Sequence, residues 1–422
     1  MGKKITIIGA GSVYTPELVT EFFRDHGHHM VDLDEMALYD IDERRLNIVG
    51  GLTQRMARRQ GVDAKIILTT DLNEAVRNAT YVITQIRVGG NHARYFDETI
   101  PMKHGVIGQE TTGPGGMFKA LRTIPELVKV AAAAKKLAPK AWILNFTNPA
   151  GVVAEGVAKA VPGARQVGVC SIQVGREHWV SDILGVKAER VKVKTIGLNH
   201  FSWVYGASLD GRDITERFFS KTKKFGGWPV DLIRAIRAIP VGYLWYYYQT
   251  DDAFRHQKKE RPRSLEVLRI EKILLKRYAD KTLDVPPEEL KLRGGSGYSV
   301  MISTYLRALT GEKPVTIPTN TTNQGCLKGF DDDQSLEIPA RISEKGIKPL
   351  PIDFEGVPVH IRGMMQRVKA YETLTCEAAF TGNYHTALRA MITHPLVPNY
   401  STGKKILDEL LKAHRKYLPQ FK

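Results

Sequence analysis

Short apolar runs alternate with helical patterning through the first half of the chain. Lys4-Ile5-Thr6-Ile7-Ile8 is a buried-strand run, and 36–39, 66–68, 81–84, 142–144 and 166–169 read the same way. Between them, 16–23, 43–59 and 124–136 carry apolar residues at helical spacing. Strand, helix, strand repeated in this manner predicts an α/β fold with a Rossmann-like, doubly wound parallel sheet. From about residue 191 the rhythm is lost. A strand near 191–195 and helices near 265–278 and 368–380 predict a C-terminal α+β domain over 191–422, after a first domain over 1–190.

Composition narrows the class. The 422 residues are 43% hydrophobic and 25% charged, ordinary globular values that exclude a disordered or fibrous chain. No apolar run approaches the roughly 18 residues of a membrane span. Three cysteines cannot make a disulfide framework, and Met1-Gly2-Lys3-Lys4 leads straight into a strand, so a cytoplasmic protein is expected. The 61 basic residues against 45 acidic ones give +16, which suggests an anionic partner or a solvated basic surface. The densest cluster is Arg255, Lys258, Lys259, Arg261 and Arg263. Neither a zinc-finger nor an RNA-recognition pattern accompanies it.

Candidate chemistry begins at Gly9-Ala10-Gly11-Ser12-Val13, between the first strand and a helix. Glycines there permit a tight turn and close approach of a pyrophosphate to the helix N-terminus. Asp40, at the end of the next strand, offers a carboxylate to an adenosine ribose and favours NAD over NADP. Tyr14 stands where the fingerprint has its third glycine. Asn145-Phe146-Thr147-Asn148-Pro149 and Cys170-Ser171-Ile172-Gln173 follow later strands, on the edge where open α/β sheets bind ligands. Asn148 reads as a polyol ligand or a turn residue, and Cys170 as a thiolate ligand or a buried apolar filler. Asn199-His200 adds an imidazole.

With these residues the chain resembles glycoside hydrolase family 4, the NAD- and metal-dependent glycosidases, over essentially its whole length. The carriers are Gly9 to Leu18, Arg87-Val88-Gly89-Gly90, Gly108-Gln109-Glu110-Thr111-Thr112-Gly113, Asn145 to Pro149, Cys170, Gly197 to His200, Tyr243-Leu244-Trp245-Tyr246-Tyr247-Tyr248 and Arg293-Gly294-Gly295. The Gln109 run and the tyrosine cluster look most like the 6-phospho-β-glucosidase branch. The resemblance implies a C-terminal domain of lactate/malate dehydrogenase type and a homodimer or homotetramer. It also implies oxidation at sugar carbon 3 by bound NAD, loss of the now acidic carbon 2 proton, departure of the aglycone, addition of water, and return of the hydride. Cys170 and His200 would hold manganese or another divalent ion. Tyr243 would be the base at carbon 2, and Asn148, Ser171 and Asn199 would meet sugar hydroxyls. Ser12, Arg87 and Arg263 are the candidates for a 6-phosphate, since arginine binds phosphate bidentately.

Two positions depart from the branch. Ser171 stands where 6-phospho-β-glucosidases carry Asn, and it is a poor general acid. Trp245 stands where phosphoglucosidases often carry a polar residue. A sulfonated, uronic or unphosphorylated glycoside therefore stays open as substrate. The competing reading is a conventional NAD-dependent 2-hydroxy acid dehydrogenase, which would release NADH stoichiometrically. A nucleic-acid or membrane partner for the positive charge is not expected.

Overall fold

A computed structural model describes residues 3–27, 32–173, 175–223, 225–294 and 297–422. The expected strands are Lys4–Ile8, Glu35–Tyr39, Lys65–Thr69, Tyr81–Thr84, Trp142–Asn145 and Gln166–Gly168. They pair in parallel, in the spatial order third, second, first, fourth, fifth, sixth. Both faces are covered, which is why these strands read as continuous apolar runs. Ile5, Ile7, Met36 and Ile83 pack beneath helices Thr15–Gly27 and Glu43–Arg59, while Ile8, Val82 and Ile143 pack under helix Gly113–Leu137. The strand order reverses between Lys4–Ile8 and Tyr81–Thr84, so a crevice opens at their carboxyl ends.

Helix Gly113–Leu137 starts well before the expected 124, through a Gly-Pro-Gly-Gly segment that looks like a loop in sequence. Those glycines serve close approach. A Cβ on Gly115 would lie 2.4 Å from the Gln109 carbonyl oxygen, and one on Gly116 2.6 Å from the Thr111 carbonyl carbon. They press the 109–112 segment against the helix.

Past residue 190 the pairing turns antiparallel, but the sheet runs on. Val315–Thr322 pairs with Gln166–Gly168 at Asn320 and Gly168, and Ser335–Ser343, Val191–Leu198 and Phe201–Leu209 extend it. Helix Arg263–Tyr278 returns to the first half, where the Tyr278 hydroxyl donates to the Val13 carbonyl at 2.7 Å. One apolar core thus joins residues from both sides of 190. Among the described residues no helix is long and apolar enough to cross a membrane.

Candidate active site

A cleft of about 790 Å³ occupies the crevice. Gly9, Gly11, Ser12 and Asp40 line one part of it. Gly9 holds φ at 89°, a region that L-residues with a Cβ avoid. The Gly9 and Ala10 amides both donate to the Tyr39 carbonyl at 2.9 Å. The Gly11 amide donates to Asp40 Oδ2 at 2.8 Å, and a Cβ on Gly11 would lie 2.9 Å from that oxygen. Asp42 donates its amide to Asp40 Oδ1 at 3.0 Å. The turn and the carboxylate are therefore one unit, and each oxygen keeps lone-pair capacity for a ribose diol. Val13 is placed differently from the expectation. Its side chain is buried in the core and Tyr278 occupies its carbonyl, so it does not line the cleft.

Another part of the cleft is built from strand ends tied to one another. Asn145 Oδ1 accepts from the Thr84 hydroxyl at 2.7 Å and the Thr147 amide at 2.9 Å, and the Thr147 hydroxyl accepts from the Ile86 amide at 3.0 Å. This holds Asn148, ahead of a cis bond to Pro149, on the cleft wall. Its Oδ1 is buried with no partner among the described residues. Cys170 follows the sixth strand, and His200 sits in the tight turn between Val191–Leu198 and Phe201–Leu209. His200 has φ 62°, a costly conformation for a residue with a Cβ that is met at functional turns. Cys170 Sγ and His200 Nε2 approach to 3.3 Å, both buried. Burial, helped by Glu337, pushes the Cys170 thiol up to about 12. Burial, with Lys119 nearby, pushes His200 down to about 3. His200 is thus a neutral nitrogen donor, and a cation beside the thiol would reverse its shift. No group of three or more His, Cys, Asp or Glu able to hold a metal exists among the described residues. One sulfur and one nitrogen donor suit an ion whose other positions are filled by substrate or water oxygens. The orphaned Asn148 oxygen likewise waits for a ligand donor. The residues fit both a dinucleotide and a divalent cation.

Tyr243 stacks on His200, with ring centroids 3.9 Å apart and planes 2° from parallel, and it lines the cleft. Burial pushes its hydroxyl up, and Cys170 adds to the shift. Beside it lies a charge cluster. Glu110 receives Arg87, Lys119 at 2.7 Å and Arg94 at 3.0 Å, and despite burial these cations hold its carboxyl well below the usual range. Burial brings Lys119 down to about 7.

Two models decide the family. The family 4 glycosyl hydrolase model matches residues 4–186, and the family 4 C-terminal domain model matches 195–397. The chain belongs to glycosyl hydrolase family 4. A probable 6-phospho-beta-glucosidase of Bacillus subtilis is 40% identical, covering 100% of this chain and 98% of its own. The 6-phospho-beta glucosidase of Thermotoga maritima, solved with manganese, NAD+ and glucose-6-phosphate, superposes with a TM-score of 0.87 at 33% identity, covering 98% of this chain and 99% of that one. Malate dehydrogenase from Plasmodium falciparum shares the fold, with a TM-score of 0.54 at 14% identity over 90% of this chain and 98% of its own.

Within this family 4 chain, Cys170, Ser171, Asn199, His200 and Arg263, like Val13, are not on the cleft wall itself, and the buried Cys170–His200 pair adjoins it through Tyr243 and Thr111. Arg263 is exposed, and its guanidinium donates to the Leu292 and Arg293 carbonyls at 3.2 and 3.0 Å. It braces the segment that brings Arg293 into the cleft. Asn199 Oδ1 accepts from the Ala150 amide at 3.1 Å, tying the His200 turn to the start of a helix. Ser171 opens a short 3₁₀ turn next to Cys170. Glu110, Thr111, Lys119, Arg293 and Tyr298 are among the wall residues to which the motifs assigned no role. Glu110 and Arg293 nevertheless stand inside the quoted motifs. Gly295 of the Arg293 motif lies outside the described residues.

Proposed function

We propose that this chain hydrolyses 6-phospho-β-glucosides with NAD and a divalent cation such as manganese. The observation that carries the reading is the buried Cys170–His200 pair, whose imidazole stacks on Tyr243, a wall residue of the strand-end crevice that also holds the Gly9–Ser12 turn and Asp40. The full-length likeness to the Bacillus subtilis relative and the ligands of the Thermotoga maritima structure support it.

When bound, NAD supplies reversible hydride transfer at sugar carbon 3, and the cation supplies Lewis acidity across the oxygens on carbons 2 and 3. The chain does the rest. Asp40 takes the ribose, and Cys170 and His200 hold the cation. Asn148 offers an amide to a sugar hydroxyl. Tyr243 takes the carbon 2 proton on its hydroxyl oxygen. Burial alone makes that phenol a poor base, so its action requires positive charge at the adjacent Cys170–His200 pair. Arg87 and Arg293 face the 6-phosphate. Both line the cleft, Arg87 held there by its ion pair with Glu110, and arginine binds a phosphate dianion through charge-assisted hydrogen bonds.

The test is a panel of aryl β-glucosides with and without 6-phosphate, incubated with catalytic NAD and manganese. Many turnovers on the phosphorylated sugar without NADH accumulation are expected. Stoichiometric NADH release would make the chain a dehydrogenase, and preference for a sulfonated, uronic or plain glycoside would replace the substrate. Arg293→Ala should raise KM for the phosphorylated substrate roughly 10- to 100-fold, the worth of about 1.5–3 kcal/mol for a charged hydrogen bond. Arg263→Ala should have the smaller effect of a loop brace. Equal KM changes would remove Arg293 from the phosphate site.

A further inference from the structure

The hydrogen bonds around His200 can be assigned without ambiguity, starting from a backbone amide. The Thr111 N–H can only donate, and its partner is Gln109 Oε1. This fixes which end of the Gln109 amide faces Thr111. The Thr111 hydroxyl lies 2.7 Å from that same oxygen, so it too must donate. Its own oxygen is then left as an acceptor. The group 3.1 Å away is His200 Nδ1, which must carry the proton. A neutral His200 protonated at Nδ1 presents the lone pair of Nε2, and that is the nitrogen facing Cys170 Sγ at 3.3 Å.

We propose that Thr111 is the positioning residue of the metal pair, setting the tautomer and ring plane of His200 through its hydroxyl, with Gln109 as the anchor of the relay. The inference rests on the reading of Cys170 and His200 as metal ligands. Histidine ligands characteristically donate their second ring N–H to an oxygen acceptor, and loss of that acceptor typically costs about 10- to 100-fold in metal affinity. Two further features agree. The glycine contacts described above clamp the 109–112 segment to helix Gly113–Leu137, so the relay is held by backbone. Tyr243 stacks on the face of the His200 ring, so a tilt of the imidazole would also move the proposed base.

The test uses the full chain with Mn2+ alone, titrated by calorimetry and by the loss of the free-ion electron paramagnetic resonance signal. Thr111→Val keeps the shape and removes the hydroxyl. It should weaken Mn2+ binding roughly 10- to 100-fold, leaving NAD affinity and melting temperature at parental values. Thr111→Ser should restore binding to within a few-fold. Valine and serine variants that bind equally would overturn the proposal. Should Thr111→Val not fold, the ring nitrogens of 15N-histidine-labelled parent protein still decide it, because His200 must be protonated at Nδ1 and an Nε2–H form would sink the relay. Failure of the underlying reading looks different, since Mn2+ would then bind the parent and Cys170→Ser equally.

Discussion

Cys170→Ser is expected to abolish manganese binding and hydrolysis while leaving NAD affinity at the parental level. The thiol lies at 3.3 Å from His200 Nε2, and the two are the proposed protein donors. A serine hydroxyl is a much weaker acid and a harder, shorter donor, and it cannot supply the anionic sulfur in a site where burial already opposes charge. The loss should exceed the roughly 10- to 100-fold typical of an outer-shell partner. The dinucleotide turn is held by Asp40 and the Tyr39 carbonyl, well apart from the thiol, so NAD binding has no reason to change. Calorimetric titration with each ligand separates the two. A serine variant that still binds manganese at parental affinity would remove Cys170 from the metal site.

Tyr243→Phe is expected to lower kcat by roughly 10²- to 10⁴-fold, the usual contribution of a positioned acid–base group. The ring that stacks on His200 remains, so KM and manganese affinity should move little. A base acts in the transition state, and its removal falls on kcat rather than on binding. Exchange of the carbon 2 hydrogen with deuterated water should fall by the same factor as turnover. Exchange that persists at the parental rate would assign the proton transfer to another group.

The parallel half of the sheet was legible because its central strands are buried on both faces and so write uninterrupted apolar runs. The Gly9 turn and Asp40 were legible for a related reason, since their bonds span a single strand–turn–helix unit. The approach of Cys170 to His200 is of another kind. It depends on antiparallel strands from beyond residue 190 meeting the sixth parallel strand, a pairing that no local pattern contains. Only the family resemblance brought those two residues together. Arg263 and Arg293 show the limit from the other side. Both are basic and both follow the tyrosine-rich region, yet Arg263 commits donors to two carbonyls and Arg293 lines the cleft. Glu110 was invisible as a charge centre because its three cations come from the segment after a strand, from one helix and from the next. The start of helix Gly113–Leu137 was hidden by glycines that serve packing rather than flexibility.

The sheet that runs unbroken past residue 190 works as a ruler. Neighbouring strands lie roughly 4.8 Å apart, so main-chain pairing sets the interval between the Gly9–Ser12 turn after the first strand and the Cys170–His200 pair beyond the sixth. A reaction that borrows a hydride and must give it back to the same carbon tolerates no drift of the sugar between loan and return. A stiff frame keeps both centres in register with one sugar pose throughout the cycle.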